Sequence, residues 1–215
     1  MRKLLFISFL ALFACTEQNA EKEISLPFYL DAQLSPVWIE EDSSAFRTIH
    51  QIDDFEFTDQ KGESFGSKNL ENKVYIANFF FTTCPGICKL MTKELHAVQD
   101  SFAANHAIDI VSFSVMPWID TVEQLQYFQE MNDIDGGVWH LLTGEKAVIY
   151  NVARQSFFAD EGFGKSVTGS SDFLHTENVM LIDKQKRIRG VYSGTSRPDI
   201  SRMIEDVKQL LSEPS

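Results

Sequence analysis

Cys84 and Cys88 stand four apart in Thr82-Thr83-Cys84-Pro85-Gly86-Ile87-Cys88, and the 215-residue chain holds one further cysteine, Cys15. Thiolates bind soft metals and exchange with disulfides, so this pair is where chemistry is expected first. A lone pair of cysteines in an exported protein is often a structural disulfide. A bridge here would close a loop of only three residues. That removes little entropy from the unfolded chain, so the spacing suits a reactive or metal-binding pair better than a staple. On a helix, four-residue spacing brings both sulfurs to one face with Cα atoms roughly 6 Å apart, near enough to share a metal or form a disulfide. Spacing alone leaves metal binding and redox exchange both open.

The flanking residues predict what holds the pair. Val74 to Phe81 (VYIANFFF) is a nearly continuous apolar run, the pattern of a parallel strand buried on both faces. Pro85 suits the first turn of a helix, and Lys89 to Phe102 reads helical through apolar Leu90, Met91, Leu95, Val98 and Phe102. The thiols therefore sit at a strand-to-helix junction, where unpaired N–H groups and the helix dipole stabilise a thiolate. Downstream, Ile108 to Val115 predicts a second core strand, Val122 to Met131 a helix, Val138 to Leu142 a short strand and Glu145 to Gln155 another helix. Beyond the Gly/Ser-rich stretch Asp160 to Ser171 come strands at Asn178 to Ile182 and Ile188 to Tyr192, joined by a turn at Asp183 to Lys186. A last helix runs from Pro198 to Leu211, with Ile200, Met203, Val207 and Leu210 at helical spacing. Ahead of these, Phe55 to Phe57 and Glu63 to Phe65 flank Asp59-Gln60-Lys61-Gly62 and read as a hairpin. The alternation predicts an α/β, thioredoxin-like fold with an N-terminal β-hairpin extension. Thioredoxin-type exchangers carry two residues between their cysteines and a cis-proline opposite them. This chain has three, and no proline between Pro117 and Pro198, which weighs against a general disulfide exchanger.

At the amino end, Met1, Arg2 and Lys3 precede the apolar run Leu4 to Ala14 before the sequence turns polar at Thr16, the layout of a secretion signal. The run is too short to span a bilayer, which takes roughly twenty apolar residues. Leu12-Phe13-Ala14-Cys15 resembles a bacterial lipobox. Residues 1–14 are thus expected to be a lipoprotein-type signal peptide, with Cys15 the lipidated first residue of the mature chain; a soluble exported protein is the alternative. Residues 15–23 would then be a tether, and 24–50 a lead-in whose Phe28, Tyr29, Val37, Trp38 and Ile39 pack on the domain or on a partner. Residues 51–215 would be the folded domain. The expected location is the cell envelope, on the periplasmic side of the membrane holding the lipid. The formal charge of −12 becomes −14 once Arg2 and Lys3 leave with the signal, and no basic block is present, which argues against a nucleic-acid partner.

Several segments stand in register from Ile52 to about Leu211. They are FTDQKG in the hairpin, the strand leading into TTCPGICKLMTKEL, SFSV followed by Pro117 and Asp120-Thr121, LLTG at Leu141 to Gly144, and FLHTENVMLIDKQKRIRG. In this layout the chain resembles the Sco/SenC family, the cysteine motif with the late histidine being the specific part. The resemblance implies that Cys84, Cys88 and His175 bind one copper ion. It also implies that the protein delivers copper to the copper-site subunit of a respiratory cytochrome oxidase or another copper/thiol protein, or reduces that site's thiols. In the latter case Cys84 and Cys88 are the catalytic pair and form a disulfide. Two soft thiolates and one imidazole suit Cu(I), and accept Cu(II) with an added ligand. Zinc prefers a fourth ligand, and the sequence offers no obvious one. Taken alone, a histidine just before a strand reads as a surface or capping residue; family register singles out His175. Met116 and Leu174 depart from the pattern, standing where many members carry an aspartate, which removes negative charge near the site.

The other candidates read more plainly. His50 lies in the lead-in, His106 in a turn and His140 in a strand. His96 falls roughly 12 Å along the helix from Cys88, too far to share a metal. Met91 offers a thioether, but its apolar helix position favours core packing. Asp172 and Glu177 could orient the imidazole or simply be solvated. Two functions of different class follow: a metallochaperone passing copper on by ligand exchange, and an exported thiol-disulfide oxidoreductase. A peroxide-reducing or redox-sensing protein on the same fold is a third. His175 separates them, since a copper site needs it and simple disulfide exchange does not.

Overall fold

The computed structural model describes residues 25–159, 174 and 176–213. Cys15, His175, Asp172 and the expected signal and tether lie outside the described residues. In chain order the elements are β1 (Phe28–Tyr29), β2 (Pro36–Val37), β3 (Glu56–Asp59), β4 (Ser64–Gly66), β5 (Val74–Phe80), α1 (Ile87–Phe102), β6 (Ile108–Ser114) and α2 (Val122–Met131). They continue as β7 (Trp139–Thr143), α3 (Lys146–Asn151), β8 (Asn178–Ile182), β9 (Ile188–Ser193) and α4 (Arg197–Ser212). Seven strands form one sheet in the order β4-β3-β7-β6-β5-β8-β9. The central β5, β6 and β7 run parallel, and their neighbours are antiparallel. This is the expected α/β, thioredoxin-like arrangement, with the β3–β4 hairpin added at one edge.

Successive residues of β5 point to opposite faces and feed two cores. Val74, Ile76 and Phe80 join α1 and α4 in one, while Tyr75, Ala77 and Phe79 join α3 and the hairpin phenylalanines in the other. Burial on both faces is why the run is apolar throughout. α1 presents Met91, Leu95, Val98 and Phe102 to the first core. α2 starts where the Thr121 hydroxyl accepts the Gln124 N–H, and α4 where Ser196 does the same for Asp199. In the hairpin, Phe57 pairs with Phe65, and the turn uses Gly62 at φ +80° while Asp59 accepts the N–H groups of Lys61 and Glu63. The helix expected over 145–155 is α only to Asn151. It then widens into a π turn, Val152–Ser156, a change of pitch that leaves no mark on hydrophobic periodicity.

The lead-in packs on the β9 side of the sheet. Leu26 enters the first core, and its carbonyl and that of Pro27 accept from the Arg189 guanidinium at 2.9 and 3.2 Å. Arg187 and Arg189 both lie over the Phe28 ring, and both pair with buried Asp183.

Candidate metal and thiol site

The site forms where β5 ends. The Phe81 carbonyl accepts the Cys84 N–H at 3.3 Å, turning the chain, and Asp120 fastens the turn from below. Its fully buried carboxylate accepts the Thr82 N–H at 3.2 Å, the Thr82 hydroxyl at 2.6 Å and the Ser114 hydroxyl at 2.5 Å. The loop before Cys84 is thereby tied to the end of β6.

Helix α1 begins later than expected. Gly86 is its cap, with φ −131° and ψ −106°, outside the helical region, so Pro85 precedes the first turn and Cys84 lies outside the helix. The two sulfurs are not neighbours on one helix face. Instead Cys84 folds back over the helix N-terminus, accepting the N–H groups of Cys88 and Gly86 and the thiol hydrogen of Cys88. Burial pushes the Cys84 thiol up, but those hydrogen bonds and the Lys89 charge outweigh it and hold the thiol below its ordinary value. Cys88 moves the other way, pushed up to about 12 by burial and by donating to Cys84. Both cysteines are free and buried. Of the two thiols, Cys84 is the one that ionises first.

Both thiols line a pocket of about 280 Å³, walled by Phe79, Phe81 and Val115, with Leu174 and Thr176 also lining it. Leu174 and Thr176 are the residues on either side of His175. Leu174 is buried in the second core, its N–H bonded to the Tyr150 hydroxyl at 3.4 Å; that hydroxyl donates to the Val115 carbonyl at 2.8 Å. Among the described residues, no three histidine, cysteine or carboxylate side chains cluster as a metal site. A second pocket of about 290 Å³, between Ser67, Tyr75 and Lys186, has no cysteine or histidine in its lining.

The remaining candidates stand apart from the thiols. Met91 is core, its sulfur accepting from Asn78 Nδ2 at 3.9 Å. His96 meets the edge of Trp139, His140 stacks on Phe65 at 3.8 Å, His50 bonds the Ser156 carbonyl at 2.7 Å, and His106 is exposed. Glu177 accepts from the Thr195 hydroxyl. Met116 and Leu174 both pack with the second core, and Leu174 also lines the pocket. Sequence reasoning did not mark Tyr150, and it named Asp120 only as part of the family layout. The Asp-Thr pair reads as a helix start, which hides the carboxylate's second contact, and a buried tyrosine on a short helix carries no signal beyond core.

Comparison with known proteins places the chain. The SCO1/SenC family model matches residues 45–212. A SCO1/SenC family lipoprotein from Bacillus anthracis str. Ames superposes with a TM-score of 0.65 at 30% identity, covering 76% of this chain and 96% of that one. BsSco, described with a disulfide switch and as a member of the Sco family of cytochrome c oxidase assembly proteins, gives 0.64 at 28%, covering 77% and 95%. Bradyrhizobium japonicum ScoI, solved with copper bound, shares the fold at 0.58 and 23%, covering 74% and 98%. A family match over most of the chain, on a sheet that carries the cysteine pair at its expected junction, establishes that this protein belongs to the SCO1/SenC family.

Proposed function

We propose that the protein is a copper-binding metallochaperone that takes copper through Cys84, Cys88 and His175 and delivers it to the copper site of a respiratory cytochrome oxidase. The carrying observation is that the cysteine pair shares one pocket with Leu174 and Thr176, the residues flanking His175. Two thiols and an imidazole are a soft, low-coordinate donor set that fits Cu(I), and the apolar walls disfavour the heavily hydrated ions that prefer oxygen ligands. Cys84, held below its ordinary value, gives up its proton to copper more readily than Cys88, which must also release its proton on binding. Release follows when acceptor thiolates replace these ligands one at a time. Cys15 carries the lipid that holds residues 15–23 as a tether and residues 51–215 as the working domain at the outer face of a membrane. A relative described as a lipoprotein supports this, and no helix among the described residues is long and apolar enough to cross a bilayer.

The inequivalence of the thiols favours a second activity on the same residues. The Cys84 thiolate attacks one sulfur of a partner disulfide, releasing the other as thiolate. Cys88, after losing its proton, then attacks Cys84, closing the Cys84–Cys88 bridge and releasing the reduced partner.

Anaerobic Cu(I) titration against a competing chelator, using the chain from residue 21 onward, tests the first reading beside Cys84→Ala, Cys88→Ala and His175→Ala. One copper bound tightly and weakened by each substitution is the expected result. Weak binding indifferent to His175, with thiols that still exchange, would leave only the reductase.

A further inference from the structure

Tyr150 sits on α3 with its side chain fully buried, and its hydroxyl both donates and accepts hydrogen bonds. It donates to the Val115 carbonyl at 2.8 Å and accepts the Leu174 N–H at 3.4 Å. Val115 and Leu174 both line the cysteine pocket. The Val115 N–H is in turn bonded to the Phe80 carbonyl at 2.9 Å, so the phenol is linked through one residue to the strand that leads into Cys84. The ring cannot drift, because it is packed in the second core and two cations lie over it, Lys146 Nζ at 5.0 Å and the Arg154 guanidinium at 5.3 Å. A phenylalanine would keep this packing. It would leave the Leu174 N–H and the Val115 carbonyl without this partner in a buried place, where such loss is costly.

We propose that Tyr150 is a positioning residue for copper binding. Its hydroxyl ties the backbone immediately before His175 to the strand end that walls the cysteine pocket, restricting the positions from which His175 is presented to the thiols. The inference rests on His175 being a ligand. It assigns to this chain a hydrogen-bonded support in place of a carboxylate beside the histidine, since Leu174 offers only its backbone.

The test compares Tyr150→Phe, His175→Ala and the double variant in the chain from residue 21 onward, which keeps every described residue. Three quantities are read: Leu174 amide hydrogen exchange without copper, Cu(I) affinity against a chelator, and the Cu(II)–thiolate absorption bands. Tyr150→Phe is expected to speed exchange at Leu174, weaken copper by about tenfold, and shift the Cu(II) bands toward those of His175→Ala. In the His175→Ala background it should cost little more. Equal losses in both backgrounds mean a merely structural role and overturn the proposal, as do unchanged affinity and bands in Tyr150→Phe when His175→Ala weakens copper. If His175→Ala itself has no effect, the ligand reading fails and the positioning role falls with it. Should Tyr150→Phe not fold, Lys146→Ala, which loosens the ring from one side, takes its place in the same comparison.

Discussion

Cys84 and Cys88 are four residues apart and chemically unlike. One is held below the ordinary thiol range by N–H donors at a helix end, the other pushed up to about 12. As pH is raised, Cys84 therefore ionises before a free cysteine would, and iodoacetamide should modify Cys84 first, with a pH–rate midpoint below that of a free cysteine. Cys88→Ala removes one donor and should move that midpoint upward; mass spectrometry of timed samples reads both. The pair itself was legible from residue type and spacing. Its geometry was not, because the prediction ran the helix back through Pro85, whereas Gly86 adopts a non-helical conformation and starts it later. The strand-to-helix argument for a stabilised thiolate holds, for Cys84 alone.

A buried carboxylate ties together the elements around the site. Asp120 gathers Thr82 from the loop after β5 and Ser114 from the end of β6, just ahead of the α2 cap. Asp120→Ala strands three donors and should lower stability by roughly 2–3 kcal/mol in urea unfolding, while raising hydrogen exchange across residues 82–84. Asp120→Asn restores part of the stability. Strands and helices were predictable to within a residue or two where the apolar pattern is strong, as in β5, α2 and β8. The π turn and the pairing of β3 with β7 were not, since the first changes pitch without changing composition and the second is a long-range choice.

Across the whole molecule, one buried ion cluster joins distant parts of the chain. Asp183 pairs with Arg187 and Arg189, and Arg189 also reaches Glu213 and the carbonyls of Leu26 and Pro27. Arg189→Ala leaves Asp183 short of a partner and the lead-in without its anchor, and should cost about 3–5 kcal/mol by chemical denaturation. Arg189→Met, which keeps the bulk over Phe28, should cost less. The family match begins at residue 45, yet Leu26 belongs to the core, so a fragment started at 45 should melt lower than one started at 21. The clamp also fixes a point of suspension. Leu26 and Pro27 are held at the β9 edge of the sheet, while the thiols follow β5, two strands further in. Force applied to the lead-in should therefore meet Arg189 and the sheet edge before it reaches the strand that carries the thiols.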